Sequence, residues 1–337
     1  MKIARGLKEA SGEKISIVLG FLEKTLTEVY GYGDEYFDEV IRLDPDDLGG
    51  SVSDLFDKFD PHIIHSHNAP DYLTVSALKT VEGAPVIHDI HDSLTMRSTG
   101  YYEGDDETKI QGYAVDEKFA CEESDGRIYV NEMIRDYLHR RYSLDPDSEL
   151  VLYNYVSEAI IPENIGERIS SRDGEIHIAY AGTITSKIDG SHYDLRGIFR
   201  EIARHGFHIH IFASREDDGY RLLADESPFI HYHGHWDQRV LLQELTKYDF
   251  GWAGFNDARN KVHLDVVLPN KAYEYIACGL PILTFLHKAL SEFVEEQRVG
   301  LVVEDFDIRE RLESSHALHE NVYRKRHDFT IEKNIDS

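Results

Sequence analysis

The residues best suited to chemistry by type and spacing lie in LPNKAYEYIACGLPILTF, Leu268 to Phe285. Pro269 suits the first turn of a helix, where the N–H it lacks would be unpaired anyway. Gly279 suits a left-handed stop before a strand that opens at Pro281. A helix is therefore expected to begin beside Pro269. Its amino end carries partial positive charge and open amide donors. Lys271 in the same turn adds a full charge, and together they suit a diphosphate. Glu274, three residues further on, shares a face with Lys271 and is in reach of sugar or ribose hydroxyls.

A second constellation is IHSHNAPD followed by PVIHDIHD, which brings His65, His67, His88, Asp89, His91 and Asp92 to the ends of two successive strands. Loops at the carboxyl ends of parallel strands are where open α/β sheets bind ligands. H-x-H on a strand also puts both imidazoles on one face, as in metal-dependent hydrolases. Those enzymes usually need a barrel of eight βα units and further ligands downstream, so the metal reading ranks second. A third element, YAGTITSKIDGSHYDL, ends a strand at Gly182 and opens a helix near His192 to Asp194. Gly182 lets a ligand approach the backbone, and Thr183 and Lys187 offer donors for phosphate. Taken alone, a glycine after a strand is equally a plain turn.

The stretch LPNKAYEYIACGLPIL is similar to the carboxy-domain signature of retaining GT-B glycosyltransferases of the large family usually numbered four. The resemblance implies that Lys271, with Asn270 beside it, takes the donor phosphates and that Glu274 holds the nucleotide ribose. It implies that His91, closing PVIHDIHD, faces the donor sugar, with His67 and Asn68 bordering the same cleft. Gly182, Thr183 and Lys187 become a second phosphate loop, and GHWDQ, Gly234 to Gln238, falls where relatives place the nucleobase. As bland alternatives, Lys271 is an i,i+3 surface partner of Glu274 and Trp236 a packing residue; the matching helix punctuation favours the functional reading of Lys271. One departure is that a second glutamate often found eight positions before Glu274 is here Val266, which leaves Asp265 or amides near Val267 to contact the sugar.

The elements that must position these residues read as an α/β chain. ISIVLG, EVIRLD, HIIHSHN, APVIHDIHD and GRIYVN in the first half are strand-like runs separated by helical periodicity. Ser157 to Glu175 then loses periodicity and gathers Pro, Gly, Ser and charge, as a domain connection does. Alternation restarts with IHIAYAG, HIHIFAS, IHYHG, YDFGWAGF, PILTF and GLVVED. The expected architecture is two Rossmann-like, doubly wound parallel-sheet domains, residues 1–160 and 174–337, which the resemblance sets facing across a cleft. MKIARGLKEASGEKISIVLG resembles the family's first helix and second strand, so the first strand of domain one is missing from the pattern.

Composition limits what such a chain can do. With 337 residues, 41% of them hydrophobic, it can bury two cores. The two cysteines, Cys121 and Cys278, form no CxxC pair or spaced series, which fits a reduced, cytoplasmic setting. The net charge of -27 is spread along the chain and repels phosphate backbones, excluding sequence-independent nucleic-acid binding. Charge of this size is best tolerated in concentrated salt, and a halophilic, archaeal source is the expectation. No run is apolar and long enough to span a membrane. Two basic islands, HRRY (His139 to Tyr142) and YRKRH (Tyr323 to His327), are candidates for peripheral contact with the cytoplasmic membrane face.

The expected activity is therefore transfer of a hexose from a nucleotide-sugar donor to a glycan or lipid-linked acceptor of the dolichol-phosphate type, in cell-surface or glycoprotein glycan assembly. The resemblance implies a retaining, front-face route that needs no metal and no cofactor, with protein positive charge in the metal's place. Three rivals are weighed beside it: a sugar-nucleotide epimerase on the same fold, a metal-dependent hydrolase using the histidines, and a non-catalytic glycan-binding relative.

Overall fold

A computed structural model describes residues 2–12, 14–101 and 105–334. The chain divides into two compact units, residues 11–153 and 154–337, with 2–10 joining the second. The sequence assigns that first segment to domain one. It instead forms a helix, Lys2–Ser11, tied to the second unit. Lys2 Nζ donates to the Asn154 carbonyl at 3.1 Å, and the Arg5 guanidinium donates to Ser157 Oγ at 2.6 Å, with Glu332 at 3.9 Å.

In the first unit all strand pairs are parallel, but they make two sheets where a single sheet is expected. β1 (Val18–Phe21) pairs with β2 (Glu39–Arg42), while β3 (Ile64–His67), β4 (Val86–Ile90), β5 (Gly126–Tyr129) and β6 (Glu149–Val151) run in the order β3-β4-β5-β6. Among the described residues no strand pairs β1 with β3, which leaves a break between them. The core follows the break: β4 and β5 carry the buried Val86, Ile90 and Tyr129, whereas β1, β2 and the helix Leu48–Phe59 contain no buried residue. β6, three residues long, is too short to stand out as a periodic run.

The second unit holds one six-stranded parallel sheet. β7 (His177–Gly182), β8 (His208–Ala213), β9 (Ile230–Gly234), β10 (Phe250–Trp252), β11 (Ile282–Thr284) and β12 (Gly300–Val302) lie in the order β12-β11-β10-β7-β8-β9. Strand order reverses between β7 and β10, which makes their carboxyl ends the topological switch point where such sheets bind ligands. One face is packed by apolar side chains, among them Ile178, Tyr180, Ile209, Ile211 and Trp252 against Phe199 of the helix Arg196–Arg204. Strict alternation puts His177, His208, His210, His231 and His233 together on the same sheet, ring against ring.

Candidate functional site

The helix Asn270–Ala277 starts directly after Pro269, whose extended backbone (φ -74°, ψ 146°) caps it, and it ends before Gly279 at φ 71°. Tyr275 fixes the helix to the switch point. Its hydroxyl accepts from Ala181 N of β7 at 2.9 Å and donates to the Trp252 carbonyl of β10 at 3.1 Å. Gly251 must be a glycine for the Tyr275 ring to lie this close, since a Cβ there would fall 2.4 Å from the ring.

This anchoring drives Lys271 inward. Its side chain is 8% exposed, and Nζ has no hydrogen-bond partner among the described residues. The ammonium lies 4.1 Å from the Tyr180 ring centroid and 5.3 Å from that of Phe255. Aromatic faces attract a cation but do not replace its hydration. Burial accordingly pulls the Lys271 pKa down to about 7, against a smaller upward effect of Glu274. An unpartnered buried cation beside a helix amino end at a switch point is built to meet an anion.

Gly182 closes β7 at φ 150°, and a Cβ on it would lie 3.1 Å from Lys271 Nζ. The Tyr180 hydroxyl donates to the Thr183 carbonyl at 2.5 Å and holds the loop in place. Thr183 is exposed and its Oγ accepts from Ser214 at 3.2 Å; Lys187 is exposed further along the same loop. Asn270 is exposed at the helix start, and half-buried Glu274 accepts from Gln238 Nε2 at 2.8 Å. Lys2 also feels Glu274: burial lowers its pKa, while Glu274 and then Glu332 raise it. Neither Gln238 nor Lys2 is a sequence candidate for contact with Glu274. The GHWDQ motif offered a signal for Gln238, whereas nothing local ties residue 2 to residue 274. Trp236 packs edge-on against Phe212 and donates to the His233 carbonyl, while Asp265 is engaged by Lys261 at 3.3 Å.

In the first unit, register places His67 opposite Asp89. Asp89 is buried and surrounded by imidazoles: His65 Nε2 at 2.8 Å and His67 Nδ1 at 3.1 Å from Oδ2, and His91 Nε2 at 3.4 Å from Oδ1. Burial alone would raise its pKa, but hydrogen bonds from His65 and His91 and the charge of His67 hold it well below the carboxylate range. His91 is partly exposed, with Nε2 3.2 Å from His67 Nδ1.

Two sequence candidates do other work. Asn68, expected on the cleft border, is 8% exposed with its amide fully committed: Oδ1 accepts from His91 N at 2.7 Å and Asp92 N at 3.2 Å, while Nδ2 donates to Asp71 and the Asp92 carbonyl. It shapes the turn that carries His91. His88 is fully buried between Thr74 and Asp71. Glu117, which no motif flags, is buried and accepts from Ser93, Thr95 and Tyr142, bracing the loop after β4. That loop follows His91 directly. Of the basic islands, Arg140, Arg141 and Arg324 are exposed, but Arg326 is buried, donating to the Ala277 and Pro162 carbonyls, and is no surface contact.

Comparison with known proteins adds the family. Residues 41–159 match the model of Glycosyltransferase Family 4, and residues 198–328 match that of the glucosyltransferase 3-like C-terminal domain. No curated protein sequence matches. Among solved structures, a sucrose-phosphate synthase from Thermosynechococcus elongatus is 13% identical with a TM-score of 0.72, over 98% of this chain and 89% of that one. WaaG, a glycosyltransferase involved in lipopolysaccharide biosynthesis, is 12% identical with a TM-score of 0.67, over 99% and 94%. HepE of Anabaena, in complex with UDP, is 10% identical with a TM-score of 0.65, over 99% and 94%. These likenesses carry the fold, the two family models fall one on each unit, and the chain belongs to the family 4-like glycosyltransferases of GT-B fold.

Proposed function

We propose that the second unit binds a nucleotide-sugar donor and that the enzyme passes its hexose to a glycan or lipid-linked acceptor. The observation that carries this reading is the buried, unpartnered Lys271 ammonium at the switch point, next to Gly182 and a helix amino end. Breaking an anomeric C–O bond leaves charge on the departing diphosphate. A preorganised cation in a water-poor site stabilises that charge more than it stabilises the bound donor. Glu274, oriented by Gln238, holds the ribose hydroxyls, with Asn270, Thr183 and Lys187 as outer phosphate donors. His91 positions the donor sugar. The departing phosphate oxygen takes the acceptor proton in a retaining, front-face transfer. A structure of the same fold, HepE, was solved with UDP, which supports a uridine donor.

Because protein groups supply the positive charge, transfer proceeds without a divalent metal. No helix among the described residues is long and apolar enough to cross a membrane. A lipid-linked acceptor would therefore be met peripherally, on the cytoplasmic face, through Arg140, Arg141 and Arg324; flotation with liposomes carrying the native lipids, before and after these become Ser, checks that contact. The decisive assay offers chelator-treated enzyme a panel of labelled nucleotide hexoses with acceptor. Transfer from one of them in EDTA is expected. Donor hydrolysis or epimerisation without transfer, or transfer restored only by added metal, would overturn the reading.

A further inference from the structure

The imidazoles around Asp89 are spaced as metal ligands. His65 and His67 are two residues apart on β3, Asp89 and His91 two apart at the end of β4, and the His67–Asp89 register brings both pairs together. One ligand atom each from His65, His67 and Asp89 lie within 4.8 Å of one another. The nearest separations are 2.8 Å from His65 Nε2 to Asp89, 3.1 Å from His67 Nδ1 to Asp89, 3.2 Å from His67 Nδ1 to His91 Nε2, and 3.4 Å from His91 Nε2 to Asp89. Around a tetrahedral ion with bonds of about 2.0–2.1 Å, ligand atoms stand about 3.3–3.4 Å apart. Contraction of a few tenths is what an Asp–His hydrogen-bond network of the same groups would show.

His67 Nδ1 faces both Asp89 and His91 Nε2, so three candidate ligand atoms stand side by side. A cation there would be met by a lone pair from each ring nitrogen and by the Asp89 carboxylate. The cluster lies 91 or more residues from any residue of the donor-phosphate site in sequence and wholly within the first unit.

We infer that His65, His67, His91 and Asp89 form a binding site for a divalent transition ion of the zinc class, for which three imidazoles and one carboxylate are a suitable set. Binding draws His91 Nε2 onto the ion. On the reading of His91 as the donor-facing residue, an occupied site withdraws it and slows transfer, so the metal is an inhibitor and not a cofactor.

The test uses the full chain, stripped with chelator and titrated with Co2+, whose four-coordinate complexes absorb in the visible. A ligand-field band saturating at one ion per chain is expected, and His65→Ala and His67→Ala each weaken it at least about tenfold, the lower end of what loss of even an outer partner costs. His233→Ala, in the histidine row of the second unit, leaves it unchanged. Circular dichroism on the two first-unit variants confirms that each still folds. Zn2+ should inhibit transfer by the wild type and spare His65→Ala. Absence of the band, its persistence in both variants, or its loss in His233→Ala overturns the site. A band without inhibition leaves the ion bound, overturns its inhibitory role, and leaves the donor site at Lys271 untouched.

Discussion

Gly182 and Lys271 compete for one volume: a Cβ on Gly182 would lie 3.1 Å from the Lys271 ammonium and 3.3 Å from its Cε. The glycine also holds φ 150°, where a side chain is strained. Gly182→Ala should therefore cost roughly 1 kcal/mol of stability and displace the ammonium from the Tyr180 ring. Donor affinity is expected to fall about tenfold, or about 1.4 kcal/mol. Thermal melts and calorimetry with donor read the two effects separately. A variant that melts lower but binds donor as tightly would place the phosphates away from this loop.

Lys271 gives the site a pH signature. Its pKa is pulled from the ordinary lysine range to about 7, so without ligand the ammonium is largely neutral above that value. A diphosphate restores the charge and raises the pKa. Between about pH 7 and 10.5, donor or UDP binding should thus take up a proton, seen as a binding enthalpy that depends on the buffer's ionisation heat. In the ligand-free chain the unfolded state binds this proton in the same interval and the folded state does not, so this group's contribution to stability rises with pH there. Lys271→Ala should abolish the proton uptake and lower kcat by more than it raises KM, since the charge it meets grows in the transition state. A raised KM with kcat intact would reduce Lys271 to ordinary binding.

Glu274 is held by Gln238 at 2.8 Å, half-buried and away from the apolar core. Glu274→Ala is expected to fold normally and to weaken donor binding by about 1.5–3 kcal/mol, the value of hydrogen bonds to a charged group. Gln238→Ala should cost less, because it frees the carboxylate without removing it. Calorimetry with UDP against uracil locates the loss: an equal effect on the free base would remove Glu274 from the ribose.

The helix at Asn270 was legible because its start and stop are written in single residues, Pro269 and Gly279, and because Lys271 and Glu274 follow from helical spacing alone. All the strands of the second sheet were legible for a similar reason, each being a run of alternating or continuous apolar residues. Four features were not. The break between β1 and β3 concerns which strands pair, and pairing is not encoded in any one strand's pattern. Asn68 carries the same side chain whether it faces a ligand or, as here, folds back on four backbone and carboxylate partners. The helix Lys2–Ser11 is recognisable as a helix, but its attachment to Asn154, Ser157 and Glu332 joins residues over 150 positions apart. Alternation in HIHIFAS shows that His208 and His210 share a face; it does not show that β7 and β9 bring three more histidines against them.

That histidine row predicts how the second unit responds to acid. Asp173 accepts from His177 at 3.0 Å, His177 meets His210 at 2.9 Å, and His210 meets His233 at 3.0 Å, while His208 meets His231 at 2.9 Å. Adding a proton to any inner ring places a charge among other imidazoles, with Asp173 at one end of the chain, Asp173 and Glu175 acting on His208 and Glu244 acting on His233. Burial, and then the charges of His231, His233, His177 and His208, bring His210 down to about 2; burial, and then His208, His233 and His177, bring His231 down to about 4. The unfolded chain takes up these protons near pH 6.5. Between that pH and about 4 the unfolded state therefore binds protons that the folded sheet refuses, and stability falls as pH falls. The expected result is a melting temperature that declines from about pH 6.5 downward, with no slope contributed by these rings above pH 7. His231→Gln, which keeps a polar side chain on β9 and removes one titrating ring, should make the decline shallower whatever it does to the melting temperature at neutral pH. An unchanged slope in that variant would assign acid sensitivity to groups other than the histidine row.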